Sequence, residues 1–142
     1  MGKINVSRVF LGGLVASLIL FILASALNGA LLEPQWLTWV KQQGSQYQMV
    51  PQSTSIMLWL AYSLINGIAG VWIYAGIRPR LGAGPKTALV AGLVIWLVSF
   101  VTSYIGHIAL RDIPGNLACA NCLAGLVMAP LAILAGAAIY KE

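Results

Sequence analysis

The stretch VFLGGLVASLILFILASALNGALL, from Val9 to Leu32, runs for 24 residues without an Asp, Glu, Lys or Arg. At ~1.5 Å of rise per residue it makes roughly 36 Å of helix, enough to cross a hydrocarbon core of ~30 Å with some tilt. Three further runs share this character: Ser55–Ile77, Thr87–Leu110 and Leu117–Tyr140. No water satisfies backbone amides inside a bilayer, so each run must be helical. Their unbroken apolar character excludes a membrane barrel, which needs alternating segments of ~10 residues. The expected fold class is all-α: a four-transmembrane-helix up-and-down bundle, one integral membrane domain over residues 1–142.

Composition supports this. Hydrophobic residues make up 60% of the chain and charged ones 8%, against about 25% charged in soluble domains. So few charges cannot cover a water-soluble globule, which excludes a cytosolic enzyme, a disordered tail or a soluble nucleic-acid module. Lys3 and Arg8, the run from Val9 to Leu23 and then Ala24-Ser25-Ala26 have the outline of a signal peptide. The apolar run continues through Leu32, so it is read as a retained span.

Charge sets the expected orientation. Lys3, Arg8, Arg78, Arg80, Lys86 and Lys141 fall at one end of the bundle, with Glu142. Lys41 and Arg111, balanced by Glu33 and Asp112, fall at the other. By the positive-inside rule both termini are cytoplasmic, in the inner membrane of a bacterium. The formal net charge of +5 then lies at the inner surface, where Arg78, Arg80 and Lys86 suit anionic lipid headgroups. Neither the basic balance nor any motif calls for nucleic acid. The turn Arg80-Leu81-Gly82-Ala83-Gly84-Pro85-Lys86-Thr87 is no phosphate-binding loop, because Pro85 stands where a glycine must precede the lysine. In the larger outer loop, Glu33-Pro34-Gln35-Trp36 opens a short helix that Gly44 can end; its tryptophans predict a position at the membrane interface.

Polar residues are few. Ser25-Ala26-Leu27-Asn28-Gly29 in span one is echoed by Ser63-Leu64-Ile65-Asn66-Gly67 in span two. Such residues let helices approach and hydrogen-bond, or they line a substrate site. Ser99, Ser103 and His107 recur every four residues and share a helix face. Asn28, Ser103 and His107, with Cys119 and Cys122, define a candidate polar pocket opening outward, and Asn66 is a further candidate for it. His107, the single histidine, reads as a structural residue, a proton relay or one axial ligand to a haem or chlorophyll pigment. No other metal site is expected. Cys119-Ala120-Asn121-Cys122 places two thiols three apart at the start of span four, where a helix N-terminus favours the thiolate. Pro130 is expected to kink that span, and Gly125, Ala129, Ala132, Ala135, Gly136 and Ala137 give it a face for close packing.

Two resemblances follow. A CxxC opening the fourth of four membrane helices resembles the vitamin K epoxide reductase fold, which implies a thiol–quinone role for Cys119 and Cys122 beside a quinone site. That fold's second cysteine pair, in the outer loop, is missing from residues 33–54. Ile73-Tyr74-Ala75-Gly76-Ile77-Arg78-Pro79-Arg80 with Gly84-Pro85-Lys86-Thr87-Ala88 resembles a group of uncharacterised bacterial four-span proteins. So do Gly12-Gly13-Leu14-Val15-Ala16, Leu27-Asn28-Gly29, Leu134-Ala135-Gly136 and the closing Tyr140-Lys141-Glu142. That likeness implies no activity. The leading expectation is a non-catalytic accessory or scaffold subunit, contacting lipid and the helices of other membrane chains. The alternatives are a thiol–quinone oxidoreductase or a small-solute carrier or channel using Asn28, Asn66 and His107. No cofactor is required by the sequence.

The topology is checked with reporter fusions in a bacterial host. Alkaline phosphatase fused after Glu142 is expected to be inactive, and the same enzyme inserted within residues 45–49 active. The reverse pattern would invert the orientation.

Overall fold

The computed structural model describes residues 4–44 and 50–140. Lys3, Lys141 and Glu142, counted above among the charges of one end, lie outside the described residues. Within them the chain forms α1 (Val6–Leu31), α2 (Glu33–Gln42), α3 (Gln52–Leu81), α4 (Pro85–Leu110) and α5 (Gly115–Ile139). All but α2 are long and apolar enough to cross a membrane. Local chemistry accounts for the ends. The Asn5 side chain accepts from the Arg8 amide at 3.2 Å, capping α1. Pro34 and Pro85 occupy first turns, while Pro51 and Pro114 stand just before α3 and α5. Gly44 follows α2 at φ +79° and Gly82 ends α3 at φ +85°, conformations that favour glycine.

The four apolar runs reappear as helices with shifted bounds. α3 begins at Gln52 and ends at Leu81, past the expected Ile77. It carries Pro79 in its last turn, where only one carbonyl loses its partner before the helix stops. The connection to α4 therefore shrinks to residues 82–84. α5 stays helical through Pro130.

Two π-helical turns interrupt the long helices, at Leu27–Leu31 in α1 and Trp96–Val101 in α4. The Leu32 amide reaching back to the Leu27 carbonyl at 2.9 Å shows the five-residue hydrogen-bond spacing.

Small residues hold the bundle together. α1 packs against α3 and α5, and α4 packs against the same two, so the four spans form a ring with α3 and α5 also touching across it. Gly12 faces Gly136 so closely that a Cβ on either would lie 2.5 Å from the other's carbonyl oxygen. A Cβ on Gly67 would sit 2.5 Å from the Ser17 amide nitrogen and 2.7 Å from the Gly13 oxygen; one on Gly92 would sit 2.4 Å from Pro130 Cα. Around these contacts Val9, Ala16, Val71, Ala75, Ala91 and Ile133 are buried. Most of the small-residue face of α5 points inward: Gly125, Ala129, Ala132, Gly136 and Ala137 are buried, while Ala135 is half-buried.

The helices alternate in direction. Asn5 and Tyr140 meet at one end, where the Asn5 amide donates to the Tyr140 hydroxyl at 3.3 Å. The Gly84 amide donates to the Tyr74 hydroxyl at 3.3 Å, the two tyrosine rings meet edge-on at 6.0 Å, and Arg78 lies over the Tyr140 ring at 5.5 Å. Both ends of the described chain and the α3–α4 turn thus gather together, with Arg8, Arg80 and Lys86 exposed beside them. Arg111 lies at the opposite end. The flanks are apolar: Met57, Ile65, Val98 and Leu123 are each at least 60% exposed. Large apolar side chains all around a bundle require hydrocarbon as the surrounding solvent. The chain is a multi-pass membrane protein.

Gly67→Ala tests the packing. The added methyl meets backbone, so a loss of about 1–3 kcal/mol is expected in detergent unfolding titrations. Gly76→Ala, whose Cβ meets nothing within 4 Å, is expected to be neutral or to gain up to about 1 kcal/mol from helix propensity. Equal effects would mean that the Gly13–Gly67 contact does not hold α1 to α3.

Candidate functional site: a polar cavity at one end of the bundle

A cavity of about 360 Å³ opens among α1, α3, α4 and α5, towards the end opposite Asn5 and Tyr140. Its walls are mainly apolar and aromatic. Leu20 and Met128 lie deep in it, and Trp59, Tyr62 and Phe100 form one side with successive rings edge-on at 5.7 and 6.3 Å. Gly125 makes room for Phe100: a Cβ there would lie 2.3 Å from the ring. Both π-turns contribute, one bringing Asn28 and the other Ser99 and Phe100. The described lining contains no Lys, Arg, Asp or Glu.

The polar groups fall into two sets. The first is a chain of side-chain hydrogen bonds across three helices. Trp36 Nε1 of α2 donates to Asn28 Oδ1 at 3.0 Å. Asn28 Nδ2 donates to the Ala24 carbonyl and to Asn121 Oδ1, each at 3.0 Å. Asn121 Nδ2 in turn donates to the Leu117 carbonyl at 3.0 Å. Asn28 thereby ties α2 and α5 to the end of α1, and Asn116 Nδ2 reinforces this by donating to Gln35 Oε1 at 3.2 Å.

The second set lies on α4 and the turn after it. Ser103 Oγ is 3.5 Å from His107 Nε2, and His107 Nδ1 is 2.9 and 3.0 Å from the two carboxylate oxygens of Asp112. The turn is possible because Arg111 adopts the left-handed conformation at φ 52°, folding Asp112 back beneath the histidine. Since a carboxylate can only accept, this contact leaves the proton on Nδ1 when the ring is neutral.

The residues singled out in the sequence have different placements. Asn28, Ser103, His107 and Cys122 line the cavity. Asn66 sits behind its wall, 6% exposed, donating to the Tyr62 carbonyl at 2.9 Å and accepting from Ser99 Oγ. Ala118, Asn121 and Cys122 share the face of α5 that meets the cavity, so Cys119 is outside the lining. Both thiols are free, and the Cys122 carbonyl also accepts from Trp96 Nε1 at 2.8 Å. Arg78, Arg80 and Lys86 lie at the far end of the molecule. No three His, Cys, Asp or Glu side chains cluster as a metal site among the described residues.

Asn121 and Asp112 were missed as site residues. Asn121 had a signal, lying between the two cysteines on the inward helical face. Asp112 had none in the helical period, because its approach to His107 depends on the backbone reversal at Arg111.

No protein-family model, curated protein or solved structure matches the chain.

Asn28→Ala removes the centre of the first chain and leaves Trp36 Nε1 without its acceptor. An expected loss of about 1–2 kcal/mol in detergent unfolding titrations, with a red shift of tryptophan emission, checks this. Unchanged stability and emission would show that the chain does not hold α2 in place.

Proposed function

We propose that the protein holds a neutral amphipathic small molecule inside the bilayer, at the level where hydrocarbon gives way to headgroups. The cavity carries this reading. It is large enough for a short acyl chain or a ring, its walls are apolar and aromatic, and a few polar groups converge at its outer end. Apolar pockets with sparse, convergent polar groups are the usual form of a small-molecule site. The lack of a cation in the described lining argues against a phosphate or carboxylate headgroup, and Asp112 beside His107 argues further against an anion.

In this reading the end bearing Arg8, Arg78, Arg80 and Lys86 faces the cytoplasm of a bacterial inner membrane. The cavity then opens on the outer side, and α2 lies along the interface above it. The orientation is supported by the charge asymmetry alone, and the bacterial assignment by the sequence resemblance alone.

A second reading is the accessory subunit expected from composition. It is favoured by Gly29, Gly76 and Gly106, whose missing side chains leave open space beside the backbone; such sites admit a neighbouring helix at close range. The thiol–quinone alternative is weaker, because one thiol of the pair is outside the cavity lining. The carrier alternative is weaker still, because Asn66 is spent on Tyr62 and Ser99.

Binding is tested by tryptophan quenching in lipid nanodiscs. A brominated monoacylglycerol should quench Trp36 and Trp59 saturably, and Ala24→Leu, which adds bulk to the lining without adding a fluorophore, should weaken this at least about tenfold, ~1.4 kcal/mol. Quenching that never saturates and is equal in both proteins would sink the proposal. A brominated phosphatidylglycerol binding as well as the neutral lipid would overturn the headgroup assignment.

A further inference from the structure

We propose that Ser103, His107 and Asp112 form a hydrolytic relay that cleaves an uncharged acyl ester lodged in the cavity. This rests on the binding role proposed above and goes beyond it, since the molecule held would also be turned over.

Three observations carry the inference. The first is connectivity: Asp112 on Nδ1, and Ser103 on Nε2, with the distances given above. With its proton held on Nδ1 by Asp112, neutral His107 presents the Nε2 lone pair to the serine hydroxyl. A nucleophile, a base and a group orienting the base are thereby in order. The 3.5 Å separation is long for a hydrogen bond, and such contacts are commonly loose before substrate binds.

The second is access. Ser103 is exposed, and His107 and Asp112 are 37% and 44% exposed; Asp112 lies beyond the last turn of α4, so the relay opens towards the end of the bundle, where water would enter. The relay lies in the last turns of α4 and the residue pair after it, near the level at which a lipid's ester groups sit between tail and headgroup. An acyl chain descending past Phe100 towards Leu20 and Met128 would leave its ester carbonyl near Ser103.

The third is the remaining donors. Asn121 commits one amide hydrogen to Leu117 and retains the other, and Tyr104 also lines the cavity. In the proposed relay these lining groups would supply donors to the carbonyl oxygen as it gains negative charge. The lack of a lining cation selects an uncharged ester over a phospholipid.

The chemistry balances without a cofactor. Ser103 Oγ attacks the ester carbonyl carbon while its proton passes to His107 Nε2. The bond from that carbon to the alkoxy oxygen breaks, and the alcohol leaves with the proton from Nε2. Water then attacks the acyl-serine, giving one proton to Nε2 and releasing the carboxylic acid as Oγ regains that proton. One ester and one water become one acid and one alcohol. Ser103 and His107 are the catalytic residues, and Asp112 is a positioning residue.

The test uses the full chain in nanodiscs, with a fluorophosphonate probe that labels activated serines and p-nitrophenyl octanoate as the ester. Wild type should be labelled, with the adduct mapped to Ser103 by peptide mass spectrometry. Ser103→Ala should lose the label and slow ester cleavage by about 10²- to 10⁴-fold. His107→Gln provides the same readout where Ser103→Ala does not elute as a single species. Asp112→Asn should lower kcat with KM little changed, which a merely structural role would not do selectively. Wild type that stays unlabelled, or ester cleavage equal in Ser103→Ala, overturns the relay. Saturable quenching in that event leaves the binding role standing, and its absence from a monodisperse protein brings down both.

Discussion

The bundle depends on backbone meeting backbone. Lipid tails are as apolar as leucine, so exchanging helix–lipid for helix–helix contact yields no hydrophobic gain in the usual sense; shape and close approach decide association instead. Gly12 against Gly136, and Gly67 against Gly13 and Ser17, provide that approach on two sides of α1. Ser17 strengthens the second contact, its hydroxyl donating to the Gly13 carbonyl at 2.6 Å with the Leu64 carbonyl of α3 at 3.4 Å. Further along α1, towards Leu20, Ala24 and Asn28, such contacts give way to the cavity. Tight packing in one half of the bundle and the open space in the other are two consequences of where glycines fall.

The π-turns explain how that space becomes polar. A helix in hydrocarbon has its amides satisfied internally, and each inserted residue rotates the side chains after it relative to those before. In α1 the turn at Leu27–Leu31 coincides with Asn28, and the chain then passes directly into α2, so that Trp36 can reach Asn28. In α4 the turn at Trp96–Val101 carries Ser99 and Phe100 to the cavity wall. An amide unpaired in hydrocarbon costs roughly 4–8 kcal/mol on the scale of transfer to an apolar solvent. The Asn28–Asn121 bond meets that requirement between helices.

Much of this was legible from the chain alone. The four spans are visible because charge is absent over lengths that match a bilayer, and proline and glycine mark their ends. The shared face of Ser99, Ser103 and His107 is visible because helical period alone defines it, and all three line the cavity. Other features depend on geometry that no local pattern records. The uncharged run stops at Ile77, before Arg78, yet a proline in a last turn sacrifices little and α3 runs on through Pro79 to Leu81. The separate fates of Asn28 and Asn66 are hidden because their flanking sequences are nearly identical. What separates them is the neighbour: Asn121 and Trp36 near the bundle end for one, Tyr62 and Ser99 behind the wall for the other.

The state of satisfaction of the polar groups bears on where a ligand's polar head would lie in the proposed site. Asn28 commits both amide hydrogens and accepts from Trp36, so it has no hydrogen left to donate to a ligand without breaking a bond already made. Asn66 is similarly committed behind the wall. Ser103 and His107 differ, because their mutual contact at 3.5 Å is too long to satisfy either group fully. Asp112 meanwhile holds the imidazole still from the other side. A hydrogen-bonding ligand therefore meets its least contested partner at Nε2 and Oγ, where an ordered ring faces a serine at the edge of the hydrocarbon. In the proposed binding role the apolar body would rest on the aromatic and aliphatic wall, and the polar head would lie at the end where Ser103, Tyr104, His107 and Asn121 gather.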